Sequence, residues 1–216
     1  MSNASAWMAA QCRHGDGRSR RPTWLAGAAA LLLPIPAHAH LVTTGLGPLY
    51  DGVSHLFVTF DDLLPVAAMA LLAGLNGPAA GRRALFTLPV AWMAGGVAGY
   101  LHGAVVLPLG VTAASFLILG VLTAADRRLP TVAVTALATL LGLLHGWING
   151  AGIAVAGREV SGLIGIGAAI FVLVAIGSAL VVTLRRPWTR IAVRVAGSWI
   201  AAIGLLLLGW ALRGQA

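Results

Sequence analysis

Apolar residues along this chain gather into five long runs separated by short polar clusters. The runs cover approximately residues 84–104, 106–125, 130–150, 163–184 and 191–212. Each is near the ~20 residues that a helix needs to cross a bilayer core. The stretch before them is less regular: residues 47–60 carry Asp51 and His55, and a more apolar segment follows over 63–75. Thr59-Phe60-Asp61-Asp62 reads as a helix start, with a capping hydroxyl and acids in the first turn. A helix from Asp62 to Asn76 would cover only ~22 Å, short of the ~30 Å hydrocarbon core. Residues 48–76 therefore form one long helix or a short segment followed by a short helix, and either counts as one crossing.

The N-terminus has a different pattern. Arg13, Arg18, Arg20 and Arg21 precede a short apolar core, Trp24 to Leu33, then Pro34, Pro36 and Ala37-His38-Ala39. That order of charge, apolar core and A-x-A is the pattern of a secretory signal peptide. Residues 1–39 are expected to be removed, leaving His40 first in the mature chain. A free amino group beside an imidazole is a bidentate ligand for copper or nickel. The mature chain, 40–216, is then a single integral membrane domain: an all-α, polytopic transmembrane bundle of about six helices.

Composition agrees with this reading. Apolar residues make up 59% of the chain and charged residues 9%, against about a quarter charged in soluble domains. The formal charge of +8 includes no lysine. The arginines lie between apolar runs, where they orient helices rather than contact nucleic acid phosphates. Arg82-Arg83, Arg127-Arg128 and the group Arg185, Arg186, Arg190 and Arg194 fall in alternate loops, which assigns those loops to the cytoplasm and both mature termini to the periplasm. The single cysteine, Cys12, lies in the signal segment, so thiolate metal sites and disulfides are excluded from the mature chain.

On this topology the remaining polar groups favour the outer side. Asp51 and His55 share a helix face at the entry to the first crossing, and a continuous helix would add Asp62 to the same stripe. His102 lies at the outer end of the second helix. His145 and Asn149 repeat the four-residue spacing near the outer end of the fourth. Arg158-Glu159 reads as a solvated loop pair. Ionisable side chains within a membrane are expensive and mark function by default. Nitrogen and oxygen donors from several helices suit a borderline divalent ion such as nickel, cobalt, copper or zinc. Trp92, Trp147, Trp188, Trp199 and Trp210 read mostly as interfacial anchors, with Trp147 also placed to wall a site. No phosphate-binding loop or hydrolase motif is present, so neither ATP-driven transport nor an enzyme is expected, and no organic cofactor.

These residues together resemble the HupE/UreJ family of small bacterial membrane proteins. The resemblance is carried by a signal peptide ending just before a histidine and by Gly47-Pro48-Leu49-Tyr50-Asp51-Gly52 leading to His55. It continues through Asp61-Asp62-Leu63-Leu64-Pro65, His102-Gly103 and Leu144-His145-Gly146, over roughly Ala37 to Leu212. Where the family has an adjacent Asp-His pair this chain has Ser54-His55, and where it has a second His-Gly this chain has Asn149-Gly150. The resemblance implies an inner-membrane secondary permease taking up Ni²⁺ from the periplasm, within hydrogenase and urease systems. In that reading His40, Asp51 and His55 capture the ion. His102, His145 and Asn149 form a site within the bundle, and Asp61 or Asp62 passes charge inward. Copper or cobalt are the alternative ions. The partners are the bilayer and the metal ion, and a second copy or a metalloenzyme maturation partner stays open. Two other readings remain: a periplasm-facing copper-binding or assembly protein, and an intramembrane metalloenzyme.

Overall fold

Backbone amides cannot be left unpaired in hydrocarbon, so each apolar run has one economical conformation, the α-helix. The computed structural model describes residues 44–103, 109–184 and 186–213, and among these it has seven helices and no strand. The helices are α1 (Pro48–Val58), α2 (Phe60–Leu75), α3 (Pro78–His102), α4 (Leu109–Ala124), α5 (Thr131–Val155), α6 (Gly162–Thr183) and α7 (Pro187–Arg213). The expected signal segment, 1–39, and His40 lie outside the described residues. Helices α3, α5, α6 and α7 are long and apolar enough to cross a membrane, and α1 with α2 passes the same test only as a bent pair. Helix α4 is apolar but has 16 residues, about 24 Å of rise. The chain is a multi-pass membrane protein.

Residues 48–76 are thus two helices, meeting at a 75° bend. Thr59 is the hinge, with extended backbone (φ −91°, ψ 95°) between the last turn of α1 and the first of α2. Pro65 follows closely. It cannot donate to the carbonyl four residues back, and its ring crowds that carbonyl, so a continuous helix would be weakest here. The expected helix start at Phe60 is present, but Thr59 does not cap it with its side chain. Its hydroxyl instead lies 3.3 Å from His55 Nδ1.

Glycines set how closely the helices approach. On α5, Gly142, Gly146 and Gly150 face α3, and a methyl group on Gly146 would overlap the backbone of Trp92. On α3, Gly95 and Gly99 meet the backbone of Leu143 and Trp147 in return. Numbers rise together along this contact, so α3 and α5 run parallel at the close distance that small residues permit. The intervening α4 therefore returns the chain from one end of the bundle to the other. It packs antiparallel on α7, with Gly120 against Gly197 and Ala201, and Gly204 against Ala113 and Phe116.

The core is apolar, with Trp92, Phe116, Met69, Leu72, Leu88 and Ile170 among its largest buried members. The outer surface is apolar too: Val90, Ile118, Leu140, Ile176, Leu206 and Trp210 are all exposed, as lipid-facing positions require. One end of the bundle collects arginines. There Arg190 makes two hydrogen bonds to Asp126, at 2.6 and 3.1 Å, and Arg194 donates to the Ala124 carbonyl at the end of α4. At the same end Asn76 accepts from the Leu129 amide at 2.6 Å, joining α2 to the loop between α4 and α5.

Candidate functional site

A straight helix would align Asp62 with His55 about two turns away; the 75° bend brings the two together. Asp62 lies in the first turn of α2, buried, with its carboxylate turned into the bundle. Its Oδ1 lies 2.9 Å from His145 Nδ1, and its Oδ2 accepts from Asn149 Nδ2 at 2.9 Å. His55 Nε2 stands 3.5 Å from the same Oδ2. Among the described residues, both ion-pair partners of Asp62 are imidazoles. The His145 side chain is fully buried and that of His55 is 14% exposed, so of the two imidazoles the one on α1 is the more accessible.

Helix α5 supplies two of these groups because His145 and Asn149 are one turn apart. The amide of Asn149 donates both to Asp62 and to the His145 carbonyl, 2.9 Å away. That double engagement fixes the amide's orientation and turns Oδ1 the other way. Asn149 Oδ1 is buried and has no hydrogen-bond partner, a condition that costs about 1–3 kcal/mol. Trp92 Nε1 is likewise buried and unpartnered. Its ring lies against His145 with centroids 5.6 Å apart and planes 33° from parallel. On the far edge of the imidazole, His145 Nε2 stands 3.0 Å from Ser115 Oγ on α4.

The other expected site residues lie elsewhere. Asp61 is exposed beside Asp62, because consecutive helical residues point in different directions. Asp51 accepts from the backbone amide and the hydroxyl of Thr44, at 2.6 and 2.7 Å, and from Arg158 Nη1 at 3.5 Å. Arg158 thus reaches across to α1, beyond its own loop. His102 ends α3 in an exposed position, stacked on Trp147 at 6.0 Å with planes 2° apart. It does not join His145 and Asn149, and Trp147 covers His102 rather than the buried cluster. The tryptophan that walls the cluster is Trp92, read from the sequence as an interfacial anchor.

Two contributors escape sequence reasoning. Ser115 sits in a uniformly apolar helix, and a lone serine there carries no periodic signal. Trp92 is one of several tryptophans, and its complete burial and ring contact with His145 show that it faces inward. The repeat of glycines at 142, 146 and 150, in step with His145 and Asn149, was the available signal.

Chemically the cluster is a carboxylate held by two imidazoles and an amide N–H, with a hydroxyl on the far nitrogen of one imidazole. Among the described residues no three His, Cys, Asp or Glu side chains stand as a ready metal cage; these are joined by hydrogen bonds, with Asp62 at the centre.

Comparison with known proteins places the chain. A family model described as HupE / UreJ protein matches residues 28–207, which includes every member of the cluster. Protein HupE of Rhizobium leguminosarum bv. viciae is 30% identical over 185 residues, 83% of this chain and 94% of that protein. No solved structure matches the chain. A glycine-packed membrane bundle with its histidines and acids at the positions that resemble the family, matched by the family model over most of its length, belongs to the HupE/UreJ family.

Proposed function

We propose that this protein is a secondary permease for a divalent transition-metal ion, Ni²⁺ before cobalt or copper, with the Asp62 cluster as its ion site. One observation carries the reading: a buried carboxylate inside a membrane bundle, at a break in the first span, partnered by imidazoles and an amide. A carboxylate in that position is costly unless it serves a function. Secondary transporters place ion sites at broken helices near the middle of the bilayer, where the freed backbone and nearby side chains can coordinate. His145 lies near the middle of α5, between Thr131 and Val155. Imidazole and carboxylate donors suit nickel. Membership of a family associated with nickel transport for hydrogenase and urease points the same way.

With α4 as the return crossing, the chain passes six times. Positive-inside logic puts the arginine-bearing end in the cytoplasm of a bacterial cell and the entry along α1 in the periplasm. The Asn149 Oδ1 atom, buried and without a partner, is an oxygen that a cation would satisfy once the amide gives up its hydrogen bond to Asp62 and turns over. The copper-assembly reading finds less support, because Asp51 is already held by Thr44 and Arg158.

Nickel accumulation in cells making the wild type, His55→Ala, His145→Ala or His102→Ala tests the reading at matched protein abundance. Loss in the first two variants and retention in the third is the expected result. Equal accumulation in all four strains would sink it.

A further inference from the structure

Ser115 reaches His145 from α4, and its bonding decides which nitrogen of that imidazole faces the carboxylate. A hydroxyl carries one proton and two lone pairs. The Ser115 proton is donated to the Thr112 carbonyl, 2.7 Å away on the preceding turn. What remains for His145 is a lone pair, so the 3.0 Å contact is Nε2–H donating to Ser115 Oγ. Nδ1 then turns to Asp62 Oδ1 at 2.9 Å, a hydrogen bond with one proton of its own between the two atoms, which must leave when an ion takes its place; the Trp92 ring closes a further side. The ring is fully buried, so water offers Nε2 no substitute for the serine.

Imidazoles that bind metals through one nitrogen have the other held by a second group, which fixes tautomer and orientation. We infer that Ser115 is a positioning residue for the ion site: it accepts Nε2–H and leaves Nδ1 as the nitrogen offered to an ion beside Asp62. The inference rests on the permease reading of the same cluster. A serine that only filled a polar need in the core would add stability without selecting a nitrogen.

Two measurements on the full-length protein decide it. In nitrogen-15 spectra of histidine-labelled protein in lipid bilayers, the His145 signals are those lost in His145→Gln. Nε2 is expected to carry a proton in the wild type and in Ser115→Thr, and to lose it in Ser115→Ala. An unprotonated Nε2 in the wild type, or an unchanged spectrum in Ser115→Ala, overturns the inference. In uptake assays with Ni²⁺, Ser115→Ala is expected to raise the apparent KM by about 10- to 100-fold, with the maximal rate far less affected. Ser115→Thr should restore the wild-type KM. An unaltered KM in Ser115→Ala, beside an inactive His145→Ala, overturns the inference alone. Wild-type uptake by His145→Ala itself removes the ion site, and the permease reading falls together with the inference.

Discussion

Asp126 and Asp62 are both well-partnered carboxylates in this bundle, and their partners differ in kind. Asp126, at the arginine-bearing end, is held by two hydrogen bonds from Arg190, and both side chains are partly exposed. Asp62, in the middle, is buried and held by His55, His145 and Asn149. A guanidinium is permanently charged and fits a carboxylate with two parallel bonds, so Asp126 has its cation built in. An imidazole can be neutral and an amide always is, so the partners of Asp62 can exchange their hydrogen bonds for an ion. The first arrangement closes a helix end. The second leaves a buried acid that, on the proposed permease reading, a passing cation would use. On that reading it is the exchangeability of the partners, rather than their presence, that separates the two acids.

The sharpest way to break this comparison is Asp62→Asn, which keeps the shape and removes the charge. Ni²⁺ accumulation should fall by more than the ~10- to 100-fold typical of indirect changes around a metal site. Wild-type accumulation by this variant would remove the distinction between the two acids. Next in size is the scaffold that holds the middle region together. Gly146→Leu places side-chain atoms in the backbone of Trp92 and should cost about 1–3 kcal/mol or more by overpacking. Thermal unfolding of the detergent-purified protein checks it against Gly152→Leu, where an added carbon meets nothing within 4 Å. Similar unfolding temperatures for the two variants would mean that α3 and α5 are not in close contact. The smallest effect belongs to Asp126→Asn. Asp126 has φ 50°, a conformation asparagine also tolerates, so the loss reduces to a partly exposed ion pair of about 0–1 kcal/mol. Ion accumulation should stay at the wild-type level; a loss as large as that of Asp62→Asn would make both acids part of one path.

How much of this was legible in advance follows from the physics of each feature. Among the described residues hydropathy found the five helices from α3 to α7 and left residues 48–76 open between one helix and two, because in a membrane the apolar run and the helix are the same fact. Helix ends shifted by several residues, as with α3, which begins at Pro78 rather than near 84, because arginine-bearing turns continue the helix beyond the hydrocarbon. His55, Asp62, His145 and Asn149 were all expected as ligands, since ionisable and amide groups stand out against an apolar background. The joining of His55 and Asp62 to His145 and Asn149 was not. Four-residue spacing correctly joined His145 to Asn149 on one helix, but it also joined Asp51 to His55, and the fold draws Asp51 away to Thr44 and Arg158. His102 was grouped with His145 by its position near the outer end, whereas the parallel packing of α3 on α5 leaves it outside, on Trp147.

The sequence by itself determined that this is a helical membrane protein, where its helices lie, and which few polar side chains can do chemistry there. Only the tertiary structure decided that Asp62 is the hub. Its neighbours are 83 and 87 residues away in the chain, and no periodicity reaches that far. The distances depend on a hinge at Thr59 and on glycines that bring Trp92 and His145 together. Burial is a property of a single residue type and its surroundings, so composition anticipates it. Convergence depends on the angles between helices, and those are set by packing.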